Sequence, residues 1–230
     1  MFMLLAALLA CNGAPTETGD TDTDTGPAVP LDGFGDISGD CGVLDDDEWN
    51  ASAPFIFSNA IDFGEATLDD SLLSEGGQQI VAEGNLNPGS LYSETFAFEV
   101  LYRCEIASLL ATEAQIVYDD PDGKKTDLLT EIDGRNIGVS VTRAFHWPPE
   151  DPYTIDEGVE LLTDKLGDIP ISADNAADEN DWERSILHVI AYNEQYADAI
   201  VEAHERLDAS AQDQIILIVT ATHGSDDFIY

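Results

Sequence analysis

Apolar positions recur with a helical period from Ser90 to about Ala111, where Phe96, Val100, Leu101, Ile106, Leu109 and Leu110 share one face behind Ser90, a residue type that caps helix N-termini. The pattern then shortens. Gln115-Ile116-Val117-Tyr118 reads as a strand closed by the turn residues Asp119-Asp120-Pro121-Asp122-Gly123. Two strand-like runs follow, Lys125 to Ile132 and Arg135 to Thr142, divided by Asp133-Gly134, a pair suited to a type I′ turn because both central residues need positive φ. With Ile132 opposite Arg135, Asp127 falls opposite Ser140 and Lys125 opposite Thr142. Alternation puts Lys125, Asp127, Leu129 and Glu131 on one face with Gly138, Ser140 and Thr142, a polar face, and Ile137, Val139 and Val141 on the core face.

Further along, Thr154-Ile155-Asp156-Glu157 has the form of a capping box and predicts a helix closing near Gly167. Ile186 to Tyr192 is an apolar strand, Glu194 to Leu207 a helix, and Ile215 to Thr220 a strand apolar enough to be buried on both faces. Those three elements make a βαβ unit with parallel strands. Upstream, Asp32 to Asn87 mixes Gly and Asp clusters with Phe55-Ile56-Phe57 and Ile61-Asp62-Phe63-Gly64, and reads as loops and short helices around the core. The order of helix, three strands, helix, strand, helix, strand defines an α/β layer architecture with a mixed central sheet flanked by helices.

The N-terminal pattern is of another kind. Met1 to Ala10, MFMLLAALLA, is too short to span a bilayer but has the length of a signal-peptide apolar core. Leu8-Leu9-Ala10-Cys11 resembles the lipobox of bacterial lipoproteins, and that resemblance implies a diacylglycerol on the Cys11 thiol and cleavage before it. No Lys or Arg precedes the apolar run, which points to an upstream start codon. From Asn12 to Pro30 the chain lacks aromatic residues and runs through TETGDTDTDTGPAVP, a tract unable to pack a core. Residues 1–10 are therefore expected to be a signal peptide, 11–31 a tether and 32–230 one domain. The resemblance implies an extracytoplasmic protein held to a membrane by its lipid, on the outer membrane or cell surface.

Composition agrees with export. Eight Lys and Arg against 47 Asp and Glu give a net charge of −39, which keeps the chain soluble and opposes nonspecific approach to nucleic-acid phosphates or anionic lipid heads. Of three cysteines, Cys11 is assigned to lipid, leaving Cys41 and Cys104 as an even pair in a compartment where disulfides persist; a bridge between them is expected.

The order of elements over about residues 90–220 is similar to the αβββαβ core of the PD-(D/E)XK, restriction-endonuclease-like fold. The hairpin from Lys125 through Asp127, Asp133-Gly134 and Ser140 to Ala144 looks like the one that carries that family's site. The resemblance implies Asp127 as the strand Asp and Glu99 or Glu94 as the helix Glu, holding Mg²⁺ for phosphodiester hydrolysis. Two positions depart from the family pattern: Ser140 stands where the second acid belongs and Thr142 where the Lys belongs, so neither supplies charge. Lys125 and Glu131, on the same face as Asp127, are candidates to replace them, with Asp127, Glu131 and Glu99 as metal ligands.

Other candidates are isolated: His146 in Phe145-His146-Trp147-Pro148-Pro149, His188 within an apolar strand, and His223 with Asp226-Asp227 beyond the last strand. No GxSxG, Walker or HExxH pattern occurs. The expected function is a lipid-anchored, noncatalytic binding module on a nuclease-like fold; the alternative is an extracytoplasmic Mg²⁺-dependent nuclease with a rearranged site and nucleic acid as substrate.

Overall fold

The computed structural model describes residues 35–208 and 215–230. Cys11, the apolar leader and the Thr/Asp tether lie outside the described residues. Among the described residues no helix is long and apolar enough to cross a membrane.

The hairpin is the most locally determined element. β4 (Leu128–Ile132) and β5 (Arg135–Ala144) are antiparallel, with Ile132 opposite Arg135 and Leu128 opposite Val139. Asp133 and Gly134 adopt φ of 52° and 74°, the left-handed pair that a type I′ turn requires. From β5 the chain crosses through α4 (Ile155–Asn175) to β6 (Arg184–Ala191), then through α5 (Glu194–His204) to β7 (Ile215–His223). β5, β6 and β7 are parallel neighbours. Along β7, Ile216 and Ile218 face one apolar layer while Ile215, Leu217, Val219 and Ala221 face the other, which is why the run from Ile215 to Val219 carries no polar residue.

Upstream elements complete the sheet. β2 (Phe55–Asp62) runs parallel to β7 and β1 (Asp36–Gly39) antiparallel to β2. Between them lies the short helix α1 (Asp46–Asn50), and after β2 come α2 (Glu75–Glu83) and α3 (Leu91–Glu105). β3 (Ser108–Thr112) pairs antiparallel with β4 and closes the far edge. The order is β1-β2-β7-β6-β5-β4-β3, a seven-stranded mixed sheet. Residues of α2 and α3 pack in the layer that holds Ile186 and Ile218, and α4 and α5 supply Leu162, Leu166 and Ile200 to the opposite layer. The molecule is thus a mixed α/β domain with its sheet between helices.

Several expectations are corrected. The helix after Ser90 stops at Glu105 rather than near Ala111: Ile106 turns left-handed at φ 55°, and Ser108 to Thr112 leave to pair with β4. An apolar run with both periods was resolved by tertiary pairing. Gln115 to Tyr118 is accordingly not a strand, and Tyr118 makes only an isolated bridge to Ala176. α4 does not stop near Gly167; it continues through Pro170 to Asn175, because Leu166, Ile169 and Ser172 keep the buried stripe. Asp32 to Asn87 contributes two sheet strands, not only loops and helices. Nor is the Asp127 face of the hairpin simply polar. Leu129 and Ser140 are buried, and the Trp182 indole covers Gly138 so closely that a Cβ there would lie 2.4 Å from the ring.

Candidate functional site

Asp127 sits where β4 diverges from β5. Its backbone N–H donates to the Val139 carbonyl (3.1 Å), and its carboxylate Oδ2 accepts from Val141 N–H (2.6 Å), so the side chain replaces the ladder partner that β4 no longer provides. That hydrogen bond favours the carboxylate, but burial outweighs it and pushes the pKa up to about 6; nearby Lys165 opposes the rise and Glu113 adds to it. Just before Asp127 the chain wraps around Tyr118, whose hydroxyl accepts from Thr126 N–H (3.0 Å) and lies 3.1 Å from the Thr126 carbonyl. Thr126 and Ser140 bring their hydroxyls within 3.3 Å. The Lys125 ammonium lies 5.7 Å from the Tyr118 ring centroid, a cation–π distance.

Glu94, in the first turn of α3, is the acid coupled to Asp127. Its side chain is buried, and Oε1 accepts from Asn85 Nδ2 and Ser90 Oγ, both at 2.8 Å. Burial and then the Asp127 charge push its pKa up to about 8, with Glu113 contributing, so Glu94 is largely protonated at neutral pH. The resulting constellation has Glu94 from α3, half-buried Glu113 beyond β3, and Asp127 ahead of β4, with Lys165 of α4 acting on Asp127.

Glu99 belongs elsewhere. It is fully buried, accepts from Ser74 N–H (2.8 Å) and Ser74 Oγ (2.5 Å), and meets Arg103 at 3.4 Å. Gly77 lets α2 approach: a Cβ there would sit 2.2 Å from Glu99 Oε1. Glu99 therefore fastens α2 to α3. Glu131 is exposed on β4, between Ser108 and Asn136 on the neighbouring strands. Among the described residues no three His, Cys, Asp or Glu side chains are grouped to hold a metal ion. Thr142 is half-buried on β5, and the next residue, Arg143, donates to the Ile229 carbonyl at 2.7 Å.

The remaining candidates are separate. Cys41 and Cys104 form a disulfide that joins the segment after β1 to the end of α3. His188 is buried mid-sheet, 2.7 Å from Thr220 Oγ1, with its pKa driven down to about 3 by burial. Since the single Thr220 hydroxyl proton goes to Asn59 Oδ1 at 2.6 Å, His188 Nε2 is the donor. His223 pairs with Glu194, His146 with Glu157, and Asp226 accepts from Thr222. Sequence reasoning missed Lys165 and Glu113. The signal for Lys165 was modest, a single cation beside buried Leu162 and Leu166 in an otherwise acidic helix.

The site lies on a mixed α/β sheet domain, and comparisons with known proteins extend that description little. No protein-family model matches the chain, and no solved structure matches it. The chain is 32% identical over 163 residues to a Dictyostelium discoideum protein described as "AAC-rich mRNA clone AAC4 protein". The match takes in 68% of this chain and 24% of that protein, so the chain spans about a quarter of the relative's length.

Proposed function

We propose that the chain is a lipid-anchored extracytoplasmic lipoprotein whose domain keeps a restriction-endonuclease-like αβββαβ core and uses the face around Asp127 for noncatalytic binding. One observation carries the noncatalytic part: the Asp127 carboxylate is engaged by Val141 N–H, taking the place of a strand partner. A hydrolytic centre of the resembled kind needs at least two ionised acids open to Mg²⁺ and a cation beside the attacking water. Here burial and the Asp127 charge push the Glu94 pKa up to about 8, disfavouring the ionised form that a metal needs, and Ser140 and Thr142 are uncharged. This donor set does not fit a Mg²⁺ centre of the resembled kind. The anchor rests on Leu8-Leu9-Ala10-Cys11 and the tether. Expressed from the full gene in a bacterium, the chain is expected to partition with membranes and carry diacylglycerol by mass spectrometry, and Cys11→Ser to abolish both; an unmodified, freely soluble wild-type chain would remove the anchor.

A second reading, a Mg²⁺-dependent nuclease, is favoured by the charges of Asp127 and Glu113 bearing on Glu94 and those of Lys165 and Glu113 bearing on Asp127. Residues 32–230 incubated with supercoiled plasmid and Mg²⁺ or Mn²⁺ separate the readings. Noncatalytic binding predicts no nicking. Metal-dependent nicking lost in both Asp127→Asn and Lys165→Ala would establish the nuclease instead.

A further inference from the structure

His146 lies at the start of the Phe145 to Tyr153 segment that joins β5 to α4. Its Nδ1 is 2.9 Å from Glu157 Oε1 and its Nε2 is 3.1 Å from the Asp151 carbonyl oxygen. A backbone carbonyl only accepts, and so does an ionised carboxylate. Glu157 is ionised: its other oxygen accepts from the Thr154 N–H (2.7 Å) and hydroxyl (2.6 Å), bonds that hold its pKa below the ordinary carboxylate value. Both ring nitrogens of His146 must therefore carry hydrogen, and the arrangement is that of an imidazolium.

The hydrogen bonds and charges around the ring favour that charge and outweigh the opposing cost of burial. The Tyr153 and Tyr196 rings lie 5.7 and 5.5 Å from it, within reach of the attraction between a cation and an aromatic face. Tyr192 of the β6–α5 junction packs against Tyr196 with its ring tilted. The formal charges bearing on this cluster are Glu157 and Glu160 of α4 and Glu150 and Asp151 of the segment itself, all negative. Tyr196 of α5 adds its hydroxyl to the same Asp151 carbonyl at 3.0 Å.

We propose that His146 is a proton-operated latch: as imidazolium it fastens the segment carrying exposed Trp147 to the first turn of α4, and loss of one ring proton to solvent releases that segment. Deprotonation leaves a nitrogen lone pair facing an acceptor, so one of the two bonds is lost. Hydrogen bonding to Glu157, aided by the surrounding negative charge, raises the His146 pKa above its ordinary value. The latch therefore holds below that folded-state pKa and opens as pH rises through it. Trp147, 82% exposed at the tip, is the surface whose presentation would change.

The test is a histidine ring titration by NMR, together with exchange rates of the Asp151 and Tyr153 amides, which are bonded to the Pro148 carbonyl and to Gln195 Oε1. His146 is expected to titrate above about 6.5, with both ring nitrogens protonated below its midpoint. Exchange, corrected for its intrinsic pH dependence, should quicken about tenfold across that midpoint, as the loss of one charge-assisted bond implies. Glu157→Gln keeps a capping-box residue while removing the charge, and should lower the midpoint. His146→Gln should exchange fast at every pH. A midpoint at or below the ordinary value, exchange without a step, or a midpoint unmoved by Glu157→Gln would overturn the latch.

Discussion

Glu94 shows how one buried side chain sets a pH response. Its folded pKa of about 8 lies above the ordinary 4.5 because burial and the Asp127 charge disfavour ionisation. Between those values the unfolded chain has released a proton that the folded chain keeps, so stability falls as pH rises from about 4.5 to 8 and levels off beyond. Glu94→Gln preserves shape and the capacity to accept from Asn85 and Ser90 without the ionisable proton. The variant is expected to match wild type near pH 4 and to exceed it by on the order of a few kcal/mol near pH 8, read by urea denaturation at both pH values. Parallel pH dependence in the two proteins would show that Glu94 is not the responsible group. That Glu94 rather than Glu99 neighbours Asp127 was beyond the sequence, since both lie on α3. The choice was made by the glycine at 77, which admits α2 close enough for Ser74 to bind the Glu99 carboxylate.

At the scale of elements, the segment from Cys41 to Asn50 has little core of its own and is held by its attachments. The disulfide ties Cys41 to α3, and the Glu105 carboxylate accepts the N–H groups of Gly42, Val43 and Leu44 at 2.9, 3.2 and 3.2 Å. Trp49 Nε1 donates to Asp133 at the hairpin turn. Reduction, or Cys41→Ser with Cys104→Ser, should cost about 2–4 kcal/mol by freeing the loop between the two cysteines in the unfolded chain. The cost should be read as a lower denaturation midpoint, with hydrogen exchange quickening first in β1 and α1 and last in β5, β6 and β7. The same contrast explains what was legible. The hairpin, its register and the βαβ unit are specified by adjacent residues, a DG turn and uninterrupted apolar strands. β2 was not, because Asn59 interrupts its apolar pattern and is satisfied only by Thr220 on β7 and the Asp40 carbonyl. Likewise the end of α3 is fixed by β4, which lies further along the chain.

For the whole molecule the governing quantity is the net charge of −39, with only eight Lys and Arg against 47 Asp and Glu. Arg103, Lys124, Arg135 and Arg206 pair with Glu99, Asp168, Glu183 and Asp156. Arg143 and Arg184 donate to backbone carbonyls, Lys125 lies against Tyr118, and Lys165 acts on Asp127. These cations are thus engaged within the protein, by carboxylates, backbone carbonyls and an aromatic ring. A folded state with so large an excess of one sign is destabilised by self-repulsion, which salt screens as the Debye length falls from about 30 Å at 0.01 M to about 3 Å at 1 M. The melting temperature should therefore climb by several degrees over that range, about 2–4 °C for each kcal/mol of repulsion removed. Plasmid retention on a filter should stay at background even at 0.01 M salt, where a phosphate-binding protein would hold tightest. Retention that declines steeply with added salt would mean that some of these cations leave their internal partners for phosphate, and would return nucleic acid to consideration as the ligand of the Asp127 face.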